Sequence, residues 1–268
     1  MKYKIVFSDV DGTLIPFGKE NVSKYTAKTI KALDEMGVEL VLATGRGFNI
    51  VPEAIKEIIS KYIIVANGTG VYDYQNDKTL YQKTMDRDVS IKLIKELRKY
   101  DDVIYSAFFD NMVYIETDNL TKMHGSVVCR GQNEIKDLVE EIENNQREIQ
   151  KVYVGVEPAK QQYYLDLLMR NYPELEFTTF ADDNIEIVPI GGNKGEAIKA
   201  LCKILNIGID EIIVMGDSDN DLEMLKLGGF NIVPSNANDS AKAVANIISD
   251  ACENDGPAKE LRKIFNIE

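Results

Sequence analysis

Short, uninterrupted apolar runs alternate with amphipathic helical patterns at both ends of this chain, and that rhythm restricts the fold more than any other feature. Residues 3–8 (YKIVFS) form the first run. A helical pattern follows, with Val22, Ala27, Ile30, Leu33 and Met36 on one face and Gly37 where a C-terminal cap belongs. Residues 38–43 (VELVLA) read as a buried strand, 48–60 as a helix, and 62–66 (YIIVA) as a strand ending at Asn67-Gly68. Late in the chain a helix carrying Ala197, Ile198, Leu201 and Leu205 precedes the strand 211–215 (EIIVM). A helix starting over 221–227, a strand at 230–233 (FNIV) and a last helical stretch with Ala241, Val244 and Ala245 complete the pattern. A strand apolar at every position is buried on both faces, and the helices between strands supply the cover. The expected fold class is α/β, a Rossmann-like doubly wound parallel sheet.

Residues 83–189 break the rhythm. Tyrosine-rich strand patterns fall at 103–108, 112–116, 151–156 and 185–188, and helical patterns at 88–99, 134–145 and 158–171. Asp110-Asn111 sits where a hairpin would turn. This is an α+β pattern, so the expected organisation is a core over 1–82 and 190–268 with an inserted α+β domain over 83–189.

Composition removes several function classes. The formal net charge of −13 disfavours nonspecific binding to nucleic acid or to an anionic membrane. No apolar run reaches membrane-spanning length, and the start, MKYKIVFSDVDGT, does not read as a secretory signal. A cytoplasmic location is therefore expected. Cys129, Cys202 and Cys252 are odd in number and widely spaced, as free thiols in a reducing compartment would be. The single histidine, His124, leaves histidine-based phosphatase and metal chemistry without its residues. It reads either as an ordinary packed or exposed residue or as a substrate contact.

Ligands of doubly wound sheets bind at the carboxyl ends of the strands. Four unusual clusters fall there or at an adjoining helix start: Asp9-Val10-Asp11-Gly12-Thr13, Thr44-Gly45-Arg46, Asn193-Lys194-Gly195, and Gly216-Asp217-Ser218-Asp219-Asn220-Asp221. Carboxylates crowded at two neighbouring strand ends repel one another, and a hard cation removes the conflict. Magnesium prefers a few carboxylate oxygens with water and phosphate oxygens. Helix capping accounts for Asp219 or Asp221 taken singly, but not for Asp9 and Asp11, which no helix start follows. Thr44, Gly45 and Arg46 offer donors to phosphate oxygens, although threonine-glycine after a strand is also an ordinary turn. Lys194 opposes the dipole of the helix it opens, an odd choice for stability alone.

Taken together, the clusters resemble the four motifs of the haloacid dehalogenase-like phosphatases, in order: DVDGT, Thr44, Lys194, and Gly216-Asp217 with Asn220-Asp221. ATGR at 43–46, ANG at 66–68, GDSDNDLEM at 216–224, SNA at 235–237 and DG at 255–256 are similar to phrases of the Cof-type subfamily, which carries a class IIB α+β cap between the second and third motifs. The chain departs from the subfamily at Pro234-Ser235 and at Thr69.

The resemblance implies a phosphomonoesterase for small phosphorylated metabolites, sugar phosphates above all. In it Asp9 is the nucleophile and Asp11 the general acid and base. Mg2+ is held by Asp9, Asp217 and the Asp11 carbonyl with support from Asp221, and phosphoryl oxygens are held by Thr44, Gly45, Lys194 and Asn220. Phosphoryl transfer needs mainly positioning and charge stabilisation, which this residue set can give. The same nucleophile serves sugar phosphomutases, and a non-catalytic binding protein on the same fold would be expected to lack Asp9 or Asp11. The implied partner is a small phosphorylated metabolite, with no nucleic acid and no membrane, and the protein itself is expected to be a monomer or weak homo-oligomer. The middle segment is expected to act as a mobile cap that chooses the substrate.

Overall fold

A computed structural model describes residues 2–59, 61–120, 131–227 and 229–268, except for the side chain of residue 120. His124 and Cys129 lie outside the described residues. The chain divides into two compact units, one of residues 1–45, 51–81 and 193–268, the other of residues 46–50 and 82–192.

The first unit begins with β1 (Ile5–Ser8), α1 (Lys24–Glu35), β2 (Glu39–Ala43), α2 (Glu53–Lys56), β3 (Tyr62–Val65), β4 (Gly70–Asp73) and β5 (Lys78–Gln82, whose last residue passes to the second unit). In the second unit follow α3 (Arg87–Leu97), β6 (Ile104–Phe109), β7 (Met112–Glu116), α4 (Thr117–Leu120), β8 (Asn133–Ile135), α5 (Leu138–Asn144), β9 (Lys151–Gly155), α6 (Gln161–Asn171), β10 (Leu175–Thr178) and β11 (Asn184–Pro189). The chain then returns to the first unit through α7 (Lys194–Leu205), β12 (Ile212–Met215), α8 (Leu222–Leu225), β13 (Phe230–Pro234), α9 (Asp239–Ala243), β14 (Ile247–Ser249) and α10 (Gly256–Phe265).

The sheet of the first unit has the order β14-β13-β12-β1-β2-β3-β4-β5. It is parallel from β14 to β3, and β4 runs antiparallel to β3. β1 is central, and every residue of it is buried, as the unbroken apolar run requires. One face packs Ile5, Phe7, Val41, Ala43, Ile64 and Val214 against Ala197, Ile198, Leu201 and Met224 of α7 and α8. Helices α1 and α10 pack against each other, with α1 on β2 and α10 on β13 and β14. Because the chain leaves β1 toward β2 on one side and reaches β12 on the other, the carboxyl end of β1 lies at the switch point of the sheet.

Several local expectations change, and in the second unit the helix expected over 134–145 is the strand β8 over Asn133–Ile135 followed by the shorter helix α5. The helix expected over 48–60 is a 3-10 turn at Phe48–Ile50 followed by the four-residue α2. Pro52 separates them in an extended conformation, and its ring forbids a continuous helix. Met36, expected on the buried face of α1, is the exposed C-cap residue, while Gly37 takes the left-handed φ of +75°. The parallel sheet gains the antiparallel strand β4 and the edge strand β5, where Asn76-Asp77 turns the chain.

The second unit is a six-stranded sheet of order β10-β11-β9-β6-β7-β8 with helices on one face. Tyr105, Ala107, Val152, Val154, Ile185 and Ile187 meet Leu93, Leu97, Leu138, Ile142 and Leu168 there. β6 and β7 join through Asp110 and Asn111, both at positive φ (50° and 65°), the conformation that a tight two-residue hairpin needs. Among the described residues no helix is long and apolar enough to cross a membrane.

Candidate active site

The site grows from three strand ends and one helix start. Asp9 follows β1, and its N–H donates to the Met215 carbonyl of β12 at 2.9 Å, which locks the two strand ends together. The chain then reverses at once: Leu14 and Ile15 N–H both donate to the Val10 carbonyl, at 3.0 and 2.9 Å. Gly12 makes this possible with a φ of +86°, and a Cβ there would lie 2.5 Å from Asp217 Oδ2. Thr13 Oγ1 donates to Asp217 Oδ1 at 2.6 Å, so the tight loop also fixes the second carboxylate.

After β12 the chain turns into a short 3-10 helix. Asp221 caps that turn: its Oδ2 accepts from the N–H groups of Asp217 (2.9 Å) and Ser218 (3.0 Å). Its other oxygen, Oδ1, accepts from Lys194 Nζ at 2.7 Å. Lys194 stands at the first position of α7, whose N-cap Asn193 accepts from the Glu196 N–H at 3.0 Å. The lysine that opposes its helix dipole is fully buried, with its ammonium also 2.5 Å from Asp9 Oδ1. Asp9, Asp217 and Asp221 each offer an oxygen within 4.8 Å of the others.

Burial pushes the Asp9 carboxyl well above the usual carboxylate range; Lys194 opposes the rise, and the charges of Asp221 and Asp217 add to it. Burial pushes Asp217 up to about 7, with the Asp221 charge in support and the Thr13 hydrogen bond against. Burial disfavours the Lys194 ammonium, but Asp221 and Asp9 outweigh it and raise its pKa above the ordinary lysine value. One ammonium thus faces three buried carboxylates, with Asp11 alongside adding to the field on Asp217. The donor set is all oxygen and over-supplied with negative charge, which fits a hard divalent cation.

Thr44 follows β2 and is buried; its N–H donates to Ile64 O at 2.9 Å and its carbonyl accepts from Asn67 N–H at 3.0 Å. Gly45 comes next and is the last residue of that stretch of the first unit, whereas Arg46 belongs to the second unit and donates to the Ile50 carbonyl. Asn220 Nδ2 donates to Asn67 Oδ1 at 3.4 Å. Two further links hold the site together. Ala66, Asn67 and Gly68 take three successive left-handed φ values of 51°, 61° and 95°, a strained turn for the first two. A Cβ on Gly68 would lie 2.3 Å from the carbonyl of Asn193, so glycine lets this turn press on the start of α7. Asn236 holds the acid loop from the other side: its Nδ2 donates to the Gly12 carbonyl, and its Oδ1 accepts from Cys252 N–H, both at 2.8 Å. In the sequence these links show only as an Asn-Gly pair at a strand end and an Asn-Ala pair after β13, and neither spacing alone says what it touches.

Cys202 and Cys252 are free and buried, and burial pushes their thiols up to about 11 and about 12, away from reactivity.

Comparison with known proteins bears on the family and the fold. The chain is 28% identical over 262 residues to the 5-amino-6-(5-phospho-D-ribitylamino)uracil phosphatase YcsE of Bacillus subtilis, covering 97% of this chain and 94% of that protein. It is 24% identical over 289 residues to phosphatase YwpJ of the same organism, covering 98% and 100%. Its fold matches a haloacid dehalogenase-like hydrolase from Bacteroides thetaiotaomicron with a TM-score of 0.82 at 22% identity, covering 98% of this chain and 100% of that one. It also matches the HAD subclass IIB sugar phosphatase BT4131 with a TM-score of 0.79 at 18% identity, covering 99% and 100%. The family model of haloacid dehalogenase-like hydrolases matches residues 6–261, and the chain belongs to that family.

Proposed function

We propose that the protein is a magnesium-dependent phosphomonoesterase acting on small phosphorylated metabolites, sugar phosphates in particular, through an aspartyl phosphate on Asp9. The observation that carries this reading is the buried Asp9 carboxylate, held by Lys194 beside Asp217 and Asp221 at the switch point of the sheet. Asp9, Asp217 and the Asp11 carbonyl would hold Mg2+, with Asp221 in support. A hard divalent cation there supplies positive charge against the phosphoryl oxygens and lowers the repulsion among the acids.

In the first step an Asp9 oxygen bonds to phosphorus as the ester P–O bond breaks, and Asp11 gives its proton to the leaving alkoxide. In the second, Asp11 takes a proton from water, which attacks phosphorus and releases inorganic phosphate and the free Asp9 carboxylate. Thr44, Gly45, Lys194 and Asn220 bind the phosphoryl oxygens throughout. The segment over 83–189 is read as a cap that selects the leaving group. Relatives support the substrate class: one is named for a phosphate ester on a ribityl chain and another for sugar phosphates. The test is phosphate release from a panel of metabolite phosphates, with magnesium and after exhaustive EDTA treatment. Magnesium-dependent release from a sugar phosphate supports the reading. An isomerised sugar phosphate without free phosphate would replace hydrolysis by mutase chemistry, and full activity in EDTA would remove the metal.

A further inference from the structure

Two short phrases of the sequence, Ser235-Asn236-Ala237 and Asp255-Gly256, have no task in the catalytic steps above. Both lie in the first unit, with the acid loops. An asparagine after a strand ordinarily bonds within its own turn or caps the next helix. Asn238 does so, accepting from the Ala241 N–H at the start of α9. Asn236 does not: its side chain bonds two peptide groups, one 224 and the other 16 positions away.

The first of these bonds closes a ring around the acids. Asn236 Nδ2 donates to the Gly12 carbonyl at 2.8 Å. Two residues on, the Asn238 N–H donates to the Asp217 carbonyl at 3.0 Å. Asp217 Oδ1 in turn accepts from Thr13 Oγ1 at 2.6 Å, which returns to the residue after Gly12. The Gly12 carbonyl and the Thr13 N–H share one planar peptide, so Asn236 sets the tilt of that plane and with it the aim of the Thr13 hydroxyl. On the other side of Gly12, its N–H donates to the Ile15 carbonyl at 2.7 Å. The Asp11 carbonyl is antiparallel to that N–H across a trans peptide and points away from Ile15.

Asp255-Gly256 holds the outer end. Asn236 Oδ1 accepts from the Cys252 N–H at 2.8 Å, and Cys252 opens the 3-10 turn that leads into Asp255. The Asp255 and Gly256 N–H groups donate back to the Cys252 and Ala251 carbonyls, at 3.0 and 3.1 Å. A Cβ on Gly256 would lie 1.8 Å from the Asp250 carbonyl oxygen, so the turn closes only on glycine. Asp255 Oδ1 accepts from Ser23 Oγ and Thr26 Oγ1, which ties the turn to the start of α1. A donor at Cys252 and an acceptor at Gly12 are the pair that an amide can satisfy at once. A carboxylate could take the first bond but not the second.

We propose that Asn236 is a positioning residue of the active site, holding Asp11 and Thr13 through the Gly12 carbonyl, and Asp217 through Thr13, in the arrangement that binds the divalent cation and aligns proton transfer by Asp11. The inference rests on the phosphatase reading above. Stability alone does not account for the residue, because Asn236 is exposed and a hydrogen bond open to water contributes little to folding. What it governs is the placement of the acids, where a shift of about 1 Å can cost about a hundredfold in rate.

The experiment compares the wild type with Asn236→Ala and Asn236→Asp. The second keeps the shape and the bond from Cys252 but sets a carboxylate against the Gly12 carbonyl. Melting temperatures in EDTA should fall by no more than about 4 °C. Well below melting, the Kd for magnesium, read by calorimetry without substrate, should rise about tenfold or more in Asn236→Ala. At saturating magnesium, kcat for the best phosphate ester should fall about tenfold or more in both variants, with KM within about threefold of wild type. A purely structural role would lower the melting temperature and leave the Kd and kcat of the folded protein alone. A Kd within about twofold of wild type in Asn236→Ala, or a kcat within about twofold in Asn236→Asp, overturns the proposal. If the wild type releases no phosphate even from p-nitrophenyl phosphate, the phosphatase reading is what fails, and calorimetry decides the present inference. Weaker magnesium binding in Asn236→Ala then supports it, and an unchanged Kd, or a wild type that binds no magnesium, refutes it.

Discussion

Lys194 Nζ lies 2.5 Å from Asp9 Oδ1 and 2.7 Å from Asp221 Oδ1, so a single buried ammonium joins residues 185 and 27 positions away in the chain. Removing it would leave two buried carboxylates facing Asp217 with no compensating charge. Lys194→Met should cost about 3–5 kcal/mol in metal-free protein, seen as a lowered melting temperature. It should also lower kcat/KM by about a hundredfold or more, because the phosphoryl oxygens lose a donor. An unchanged melting temperature would show that the pair is structurally idle.

Asp9→Asn separates chemistry from folding. The amide has the shape of the carboxylate but cannot attack phosphorus, so turnover should fall by several orders of magnitude. Because burial and neighbouring acids hold the Asp9 carboxyl above its usual range, its charged form opposes folding. The variant should therefore melt at or above the wild-type temperature in EDTA. Activity within about tenfold of wild type would remove Asp9 from the nucleophile role.

Magnesium and pH should act on stability together. Asp217 is pushed up to about 7 in the folded protein, against the ordinary carboxylate value near 4 when unfolded. A raised folded pKa means that the native state binds the extra proton between those values, so metal-free stability falls as pH rises through that window. At low pH a cation must displace protons from Asp217 and Asp9; at high pH it meets bare carboxylates. Melting curves with and without magnesium should show a larger stabilisation at pH 8 than at pH 5.5. Equal shifts at both pH values would contradict a site built from these acids.

Much of the first unit was legible because its strands are buried on both faces, and unbroken apolar runs such as 40–43 and 212–215 have few other uses. Beta14, only three residues long with Ile248 exposed, gives no such run, and α10 hides behind an N-terminal Gly-Pro that reads as a turn. The gathering of Asp9 and Asp217 follows from topology, since parallel strands deliver their carboxyl ends to one edge. What spacing could not express is contact between turns. The left-handed run Ala66–Gly68 and the Asn236 bridge to Gly12 depend on backbone conformations and approaches that arise only when distant loops meet.

Gly68→Ala tests the close approach of that turn to α7. The new methyl would meet both a φ of +95° and the Asn193 carbonyl at 2.3 Å. Gly18→Ala is the control, with a φ of +76° and open space around it. Both lose about 1–2 kcal/mol to the left-handed backbone, and Gly68→Ala should lose clearly more, with lowered activity from a displaced Lys194. Equal melting temperatures for the two variants would show that the approach carries no strain.

The most direct test of the account is to trap the covalent intermediate on Asp9. Enzyme mixed with magnesium and a radiolabelled sugar phosphate is quenched in acid during turnover, digested, and its labelled peptide sequenced. The account predicts label on the peptide containing Asp9, released by hydroxylamine as an acyl phosphate must be, and absent from Asp9→Asn. Rapid phosphate release with no protein-bound label at any quench time, or with label on another residue, would contradict it.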